Sequence, residues 1–241
     1  GPLAASSDEF HIELVGRGAH AARPHEALDP IVGASALVGA LQTIVSRRKN
    51  PVFPAVVTVG TINAGSAPNI IPDKAKLSGT IRAVDPATRR FLIEEVRRIT
   101  ESQATSYRLK ARVHIEKGTP PIVNPARTTA WARQAAVSVL GDAGLTMMET
   151  LNLAAEDFAF YMEKIPGCFL RVGAREKGGE VIPAHSGKFY AADESIFVGG
   201  AILAEAARIA SAKERETSFT ELLTIMPKRP SGKGHDKFGF L

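Results

Sequence analysis

The sequence predicts an α+β layer of β-α-β-β-α-β order over residues 10–117, followed over 118–213 by part of an α/β unit. Three observations carry this expectation. Strand-like and helix-like periods alternate from residue 10 to 116. Two Asp-Pro pairs, Asp29-Pro30 and Asp85-Pro86, open the helix-like stretches. Past "KGTPPIVNP" the chain turns to helices around one short, continuous apolar run, "GCFLRVGA". Alternation fits a sheet with one buried face, and the continuous run a strand buried on both.

Taken in order, "FHIELVG" sets Phe10, Ile12 and Leu14 against His11 and Glu13, the period of a half-buried strand. Asp29 then offers an N-cap and Pro30 a first helical residue. Ile31, Ala34, Val38, Leu41 and Val45 recur at helical spacing until Arg47, Arg48 and Lys49, cations suited to a helix C-terminus. "AVVTVGTINAG" and, after a Pro-Asp turn, "IIPDKAKLSGTIRAV" read as an antiparallel pair. Asp85 and Pro86 repeat the helix start, with Phe91, Leu92, Val96 and Ile99 as its apolar stripe. "LKARVHIEKG" closes the layer with Leu109, Ala111, Val113 and Ile115 on one face. Beyond it, 126–140 reads as a helix with Trp131, Ala135 and Leu140 inward, and roughly 193–213 as another. Residues 214–241 show no sustained period and grow rich in Lys, Gly and Pro, the composition of a mobile tail.

Of 241 residues, 44% are apolar and 23% charged, the mix of a soluble globular chain. No run approaches the roughly 18 apolar residues of a membrane span, and no secretory pattern opens the chain, so a cytoplasmic setting without a membrane is expected. The one cysteine, Cys168, excludes an internal disulfide or a multi-cysteine zinc cluster and suits a buried strand position. The net charge of +5 is scattered and partly lies in "PKRPSGKGHDK", which fits a solvated surface. The start, "GPLAASSDEF", reads as a cut end, and the elements after residue 118 are too few to close an α/β domain, so a preceding segment is expected.

The histidines fall in unlike places. His11 and His114 lie on the polar phase of their strands, where a solvated or cross-strand role is the ordinary one, and His235 lies in the tail. His20 and His25 occupy "GRGAHAARPHEALDP", a strand-to-helix loop poor in bulky residues. Such a loop can pass close to another surface and present an imidazole, or the histidines can simply cap and pack it. His185 in "VIPAHSGKF" suits a metal ligand at the edge of an α/β sheet, although zinc wants three or four ligands. Glu156 and Asp157 in "AAEDFAFYMEKI" are either N-terminal helix charges or groups that orient a metal-bound imidazole. Asn69 in "GSAPNIIPD" has an amide that can donate to a carbonyl or oxyanion, and Arg82 in "SGTIRAV" a fork for a carboxylate.

The stretches "GRGAHAARPHEALDPI", "GSAPNIIPDKAKLSGTIRAVDP", "AAEDFAFYMEKIPGCFLRVGA" and "PAHSGKFYAADE" resemble, in order and spacing, the metal-dependent amidohydrolases that include hippurate hydrolases, N-acyl-amino-acid amidohydrolases and plant indole-acetyl-amino-acid hydrolases. The resemblance covers roughly residues 1–213 and takes in "GPLAASSDEF" as well. It implies a ferredoxin-like lid of four antiparallel strands and two helices at 10–117, which mediates homodimerisation. It also implies the C-terminal part of a zinc-peptidase-like α/β catalytic domain at 1–9 and 118–213. Two divalent metal ions per complete site (zinc, manganese or cobalt) and a metal-bound water as nucleophile are implied too. Carried over by motif, His185 is the last metal ligand, with Glu156 and Asp157 behind it. His20 reaches from the lid toward the partner's active site to stabilise an oxyanion, Asn69 and Arg82 bind the N-acyl-amino-acid substrate, and His25 has a weaker claim. The family's upstream segment, with its other metal ligands and general base, is absent from this sequence. The chain alone is therefore expected neither to hold the dinuclear site nor to hydrolyse amides. A non-catalytic dimerisation module is the alternative. RNA binding, which shares the β-α-β-β-α-β order, is disfavoured because the strands offer almost no aromatics for stacking, so no nucleic acid is expected.

Overall fold

A computed structural model describes residues 1–225 other than 149, 150, 152, 177 and 184, with side chains as far as Arg215. His235 and the tail from residue 226 lie outside the described residues. The elements are strands β1 (Pro2–Ala4), β2 (Asp8–Val15) and β3 (Ala19–His20), helix α1 (Pro30–Thr43), and strands β4 (Ala55–Ala64), β5 (Ile70–Ile71) and β6 (Lys74–Ala83). Helix α2 (Pro86–Ser106), strands β7 (Lys110–Lys117) and β8 (Ile122–Val123), and helices α3 (Ala126–Leu140), α4 (Phe158–Met162) and α5 (Asp193–Ile225) follow. The chain divides into two compact units, one of residues 1–129 with 146–171, the other of residues 130–145 with the described residues from 172 onward.

In the first unit a four-stranded antiparallel sheet runs in the order β4-β6-β2-β7. The alternation read in β2 sets its register, because a slip by one residue would exchange every buried side chain for a polar one. Phe10, Ile12 and Leu14 are buried with Leu77 and Ile81 of β6, under Ala34, Leu37 and Leu41 of α1 and Leu92, Val96 and Ile99 of α2. Glu9, His11 and Glu13 take the other face. Phe10 lies opposite Gly79, where a Cβ would run into both the Phe10 ring and the Thr58 carbonyl oxygen, so the ring fits only over glycine. A bulge between Val59 and Thr61 leaves Gly60 unpaired in edge strand β4.

Both helix starts form as the Asp-Pro pairs require. The Asp29 carboxylate accepts from the Ile31 amide at 2.8 Å, and Asp85 accepts from the Thr88 amide at 2.8 Å and from its hydroxyl at 2.6 Å. The stripe of α1 is turned relative to the expected one. Gly33, Ala34, Leu37, Leu41 and Ile44 face inward, while Ile31 and Val45 are exposed. A Cβ at Gly33 would strike the Leu109 side chain, so this small face is the one that can close on the core. The π-helical turn Ile44–Arg48 then shifts the phase, burying Ile44 in place of Val45.

The chain enters the sheet at Asp8 and leaves it near Gly118, and one ion pair ties both points. Asp8, fully buried, is held by Arg89 of α2 through Nη2 at 2.6 Å and Nε at 3.0 Å, and Nη2 also donates to the Gly118 carbonyl at 2.9 Å. The Ser6 hydroxyl donates to Asp8 at 3.1 Å and accepts from the Ala83 amide at 3.2 Å. Outside the sheet, β1 pairs with β8, and Ala4, Ile122 and Ala159 form a small second core with Phe158 and Phe169 beside it.

Several expectations need correction. "GCFLRVGA" is not a strand: it pairs with no strand among the described residues, and the Asn124 side chain takes both the N–H and the C=O of Phe169 at 2.9 Å in place of a ladder partner there. Cys168 is accordingly half-buried rather than buried, and burial still pushes its thiol up. Ile70 and Ile71 belong to a separate ribbon with Ala19 and His20, not to the long strand. Leu140 is exposed. Helix α5 runs on through Ile225, so residues 214–225 are not a structureless tail, and the sequence has no Gly or Pro from 214 until Pro227. Two helical stretches, Pro30–Arg48 and Asp193–Arg215, contain windows apolar enough by mean hydropathy to cross a membrane, although no unbroken apolar run is that long; the first is a core helix of its unit.

Removing one partner of a buried ion pair leaves an uncompensated charge, so Asp8→Ala should cost about 3–5 kcal/mol in urea unfolding. Arg112→Ala, which loses only an exposed pair with Glu13 at 3.5 Å, should cost about 1 kcal/mol or less. Glu95 accepts from Arg98 at 2.8 and 2.9 Å and pairs with Arg48 at 2.6 Å. The Arg98 hydrogen bond first, then the two guanidinium charges, hold its carboxyl below the usual range against the opposing effect of burial. A carboxyl depressed on folding stabilises above its unfolded value and loses that contribution as pH falls through the folded one. The gap in thermal midpoint between wild type and Glu95→Gln should therefore be full at neutral pH and close below about pH 4.

Candidate functional site

The loop after β2 is drawn tight before it presents anything. Gly16 donates to the Asp73 carbonyl at 2.8 Å, and Arg17 and Leu28 exchange backbone hydrogen bonds at 3.0 and 2.9 Å. A Cβ on Gly16 would overlap the Leu28 carbonyl oxygen, and one on Gly18 would come within 2.8 Å of the Ile71 carbonyl oxygen. The small residues that set this loop apart in the sequence thus let two crossings of the backbone approach each other. Clear of the sheet, β3 and β5 form a two-stranded ribbon in which His20 faces Ile70.

His20 is exposed, and its Nδ1 accepts from the Ala22 amide at 3.1 Å. An acceptor Nδ1 in a neutral imidazole puts the proton on Nε2, so the ring offers an N–H donor away from its own loop. Asn69 is beside it: its carbonyl accepts from the Ala21 amide at 3.0 Å, while its exposed side chain makes no hydrogen bond among the described residues. His25 is also exposed, with its Nε2 3.8 Å from a Glu26 carboxylate oxygen.

Arg82 is not part of this pair. It lies at the far end of β6, half-buried, with Nη1 donating to the Ser6 carbonyl at 3.4 Å. The strand from Lys74 to Arg82 is itself roughly 26 Å long at about 3.3 Å per residue. Glu156 is half-buried and Asp157 exposed, just ahead of α4, and neither carboxylate caps that helix or has a partner among the described residues. His185 belongs to the second unit, exposed at a turn with φ of +68°, a conformation few residues other than glycine adopt. No strand directly precedes it among the described residues, so the expected place at the edge of an α/β sheet is not what the structure shows; it lies in irregular chain ahead of α5.

One imidazole does not make a metal centre, since catalytic zinc sites need about three protein ligands. Among the described residues, the one grouping of three metal-capable side chains lies elsewhere, at Glu9, His11 and Glu116. The chain's described residues therefore do not fit a dinuclear centre by themselves. The Glu9-His11-Glu116 grouping went unnoticed in the sequence, where its signal is a Glu-x-His in one strand and a His-x-Glu in another, mirror images that antiparallel pairing brings together.

Residues 5–108 match the family described as peptidase dimerisation domain. The chain is 44% identical over 174 residues to an N-acetyl-L-cysteine deacetylase of Bacillus subtilis, covering 72% of this chain and 41% of that one. It belongs to the M20 peptidase family. A hippurate hydrolase of Campylobacter jejuni is 37% identical over 163 residues, covering 68% of this M20 chain and 43% of its own. The structure also resembles that of a dinuclear metal binding M20 peptidase from Bacillus subtilis (TM-score 0.68, 30% identity, 87% of this chain and 51% of the other). A putative aminohydrolase from methicillin-resistant Staphylococcus aureus gives a TM-score of 0.78 at 28% identity, over 87% of this chain and 54% of the other. This M20 chain thus spans about half the length of the relatives it matches.

The loop gives the prediction. Gly16→Ala must push Leu28 aside and should cost about 1–3 kcal/mol in denaturant unfolding, whereas Gly39→Ala, with open space around its Cβ position on α1, should be neutral or stabilising.

Proposed function

We propose that this chain supplies the lid, residues 10–117, and the last part of the catalytic domain, residues 1–9 and 118–213, of a homodimeric metal-dependent amidohydrolase acting on N-acyl-amino acids, hippurate-like compounds among them. The observation that carries the reading is His20, an exposed imidazole whose Nδ1 is occupied by its own loop and whose Nε2–H is left to serve something outside the unit. An N–H donor aimed at the developing oxyanion is worth most where water is excluded, which a lid closing on a catalytic domain provides. The named substrates of the relatives, N-acetyl-L-cysteine and hippurate, are both N-acyl amino acids, which supports the reaction class.

His20 with Asn69 and Arg82 lie at opposite ends of β6, too far apart for one copy of the chain to apply both to one small substrate. In a homodimer the difficulty disappears: His20 and Asn69 from one protomer meet the carbonyl of a substrate whose carboxylate Arg82 of the other protomer holds. Arginine suits that carboxylate because its fork binds both oxygens. His185 is the metal ligand in this reading; Glu156 and Asp157, whose carboxylates have no partner among the described residues, are acidic groups of the kind that orient a metal-bound imidazole. Zinc, manganese or cobalt, two ions per complete site, would require ligands beyond the described ones. The setting is cytoplasmic, and neither a membrane nor a nucleic acid enters the reading.

Two measurements test it. The pure chain, assayed with N-acetyl- and N-benzoyl-amino acids and added zinc, manganese or cobalt, should neither retain two metal ions nor turn substrate over; measured turnover would overturn the assignment of the missing ligands. Joined to the preceding half of the Bacillus subtilis deacetylase, it should hydrolyse these amides, with His20→Ala lowering kcat about 100-fold or more and Arg82→Ala acting mainly on KM. Mixed dimers of the two variants should regain activity, because one of their two sites receives an intact His20 from one protomer and an intact Arg82 from the other. Absence of recovery would place both residues on one protomer's site and sink the proposed division.

A further inference from the structure

The open face of the sheet is arranged in polar rungs, and one of them is unbalanced. In the rung through Glu13, the carboxylate lies between Lys74 at 3.6 Å and Arg112 at 3.5 Å, and Lys76 is its direct cross-strand partner on β6. In the next, His11 of β2 faces His114 of β7 and Ser78 of β6, whose hydroxyl shares a 2.6 Å hydrogen bond with Thr61. In the one beyond, Glu9 faces Glu116. Like charges directly opposite on neighbouring strands repel, and among the described residues neither carboxylate pairs with a lysine or arginine. Their shared neighbour is His11, whose Nε2 lies 3.7 Å from Glu9 Oε2 and 4.0 Å from Glu116 Oε2.

We propose that Glu9, His11 and Glu116 form a binding site for a zinc-type divalent transition-metal ion on the open face of the sheet. The three ligand atoms already lie within 4.8 Å of one another. Ligands about 2.0–2.2 Å from a tetrahedral zinc are roughly 3.4 Å apart, so small rotations of exposed side chains close the site. An ion there replaces the repulsion between two carboxylates with attraction to both. His114 faces His11 across the strands, with ring centroids 6.2 Å apart and planes at 28°. One imidazole with two carboxylates suits zinc, cobalt or nickel better than calcium or magnesium, which take oxygen ligands. Three protein ligands leave a position for water, so the ion should exchange, and it would pin edge strand β7 to β2. The site shares no residue with His20, Asn69, Arg82 or His185 and does not depend on the amidohydrolase reading.

Calorimetric titration of the full chain with zinc chloride, and cobalt absorption spectra of the same samples, test the proposal. One ion should bind per chain, with affinity lowered about tenfold or more by His11→Ala and by the Glu9→Gln/Glu116→Gln pair, and unchanged in His185→Ala. Zinc should raise the thermal midpoint of the wild type but not of Glu9→Gln/Glu116→Gln, whose own midpoint without zinc should be at least as high as wild type because the like-charge pair is gone. Circular dichroism of each variant separates loss of the site from loss of the fold. No saturable uptake at millimolar zinc, or uptake that survives in the His11 and Glu9/Glu116 variants, would overturn it.

Discussion

The Asp8–Arg89 pair sits where the sheet, helix α2 and the segments entering and leaving the sheet meet. Asp8 starts the central strand β2, Arg89 belongs to the first turns of α2, and Gly118 is the residue just past β7. Burying two charges costs several kcal/mol each, and only close geometry with further hydrogen bonds offsets it. Here the offset is visible in the bidentate contact, in the Ser6 hydroxyl and in the Gly118 carbonyl. An apolar pair could pack the same space, but it would not fix register: Asp8 can satisfy Arg89 only when β2 lies opposite Ile81 and Lys117 as it does. Specificity rather than net stability is the physical gain from such a pair.

From that fixed end the rest of the first unit follows with little freedom. The register of β2 places Phe10 over Gly79 and the paired histidines and glutamates on the open face; the length of β6 carries His20 and Asn69 to one end and leaves Arg82 at the other. Glu95 repeats the device on a smaller scale, tying the π-helical turn after α1 to α2 through Arg48, with Arg98 of its own helix as a second partner. Both buried carboxylates join elements distant in sequence, which is where chain entropy most needs a directional contact.

How much was legible depended on whether a residue's role is local. N-caps at Asp29 and Asp85 act within a few residues, and both were readable; so was the alternation of β2 and β7, because a half-buried strand writes its period into the chain. The strand expected at "GCFLRVGA" failed because a continuous apolar run names burial but not a partner, and Asn124, far away in sequence, supplies the backbone bonds instead. The turned face of α1 escaped for a similar reason: Gly33 faces inward because Leu109 needs the room, and no periodicity in the helix itself records that. That His20 stands exposed on a tightly crossed loop was legible from its small neighbours. Its separation from Arg82 was not, since motif order says nothing about distance along a strand.

The open face carries the same lesson into energetics. A half-exposed antiparallel sheet is expected to pair opposite charges across its strands, and the Lys74-Glu13-Arg112 grouping does so. The Glu9-Glu116 rung departs from that rule, and the departure coincides with an imidazole placed within 4.0 Å of both carboxylates. Random surface polarity would be as apt to put a lysine opposite Glu9 as a glutamate. A mirrored Glu-x-His and His-x-Glu on adjoining strands, in a register held at one end by a buried ion pair, is the arrangement in which a cation, and not a side chain, completes the electrostatics of the face.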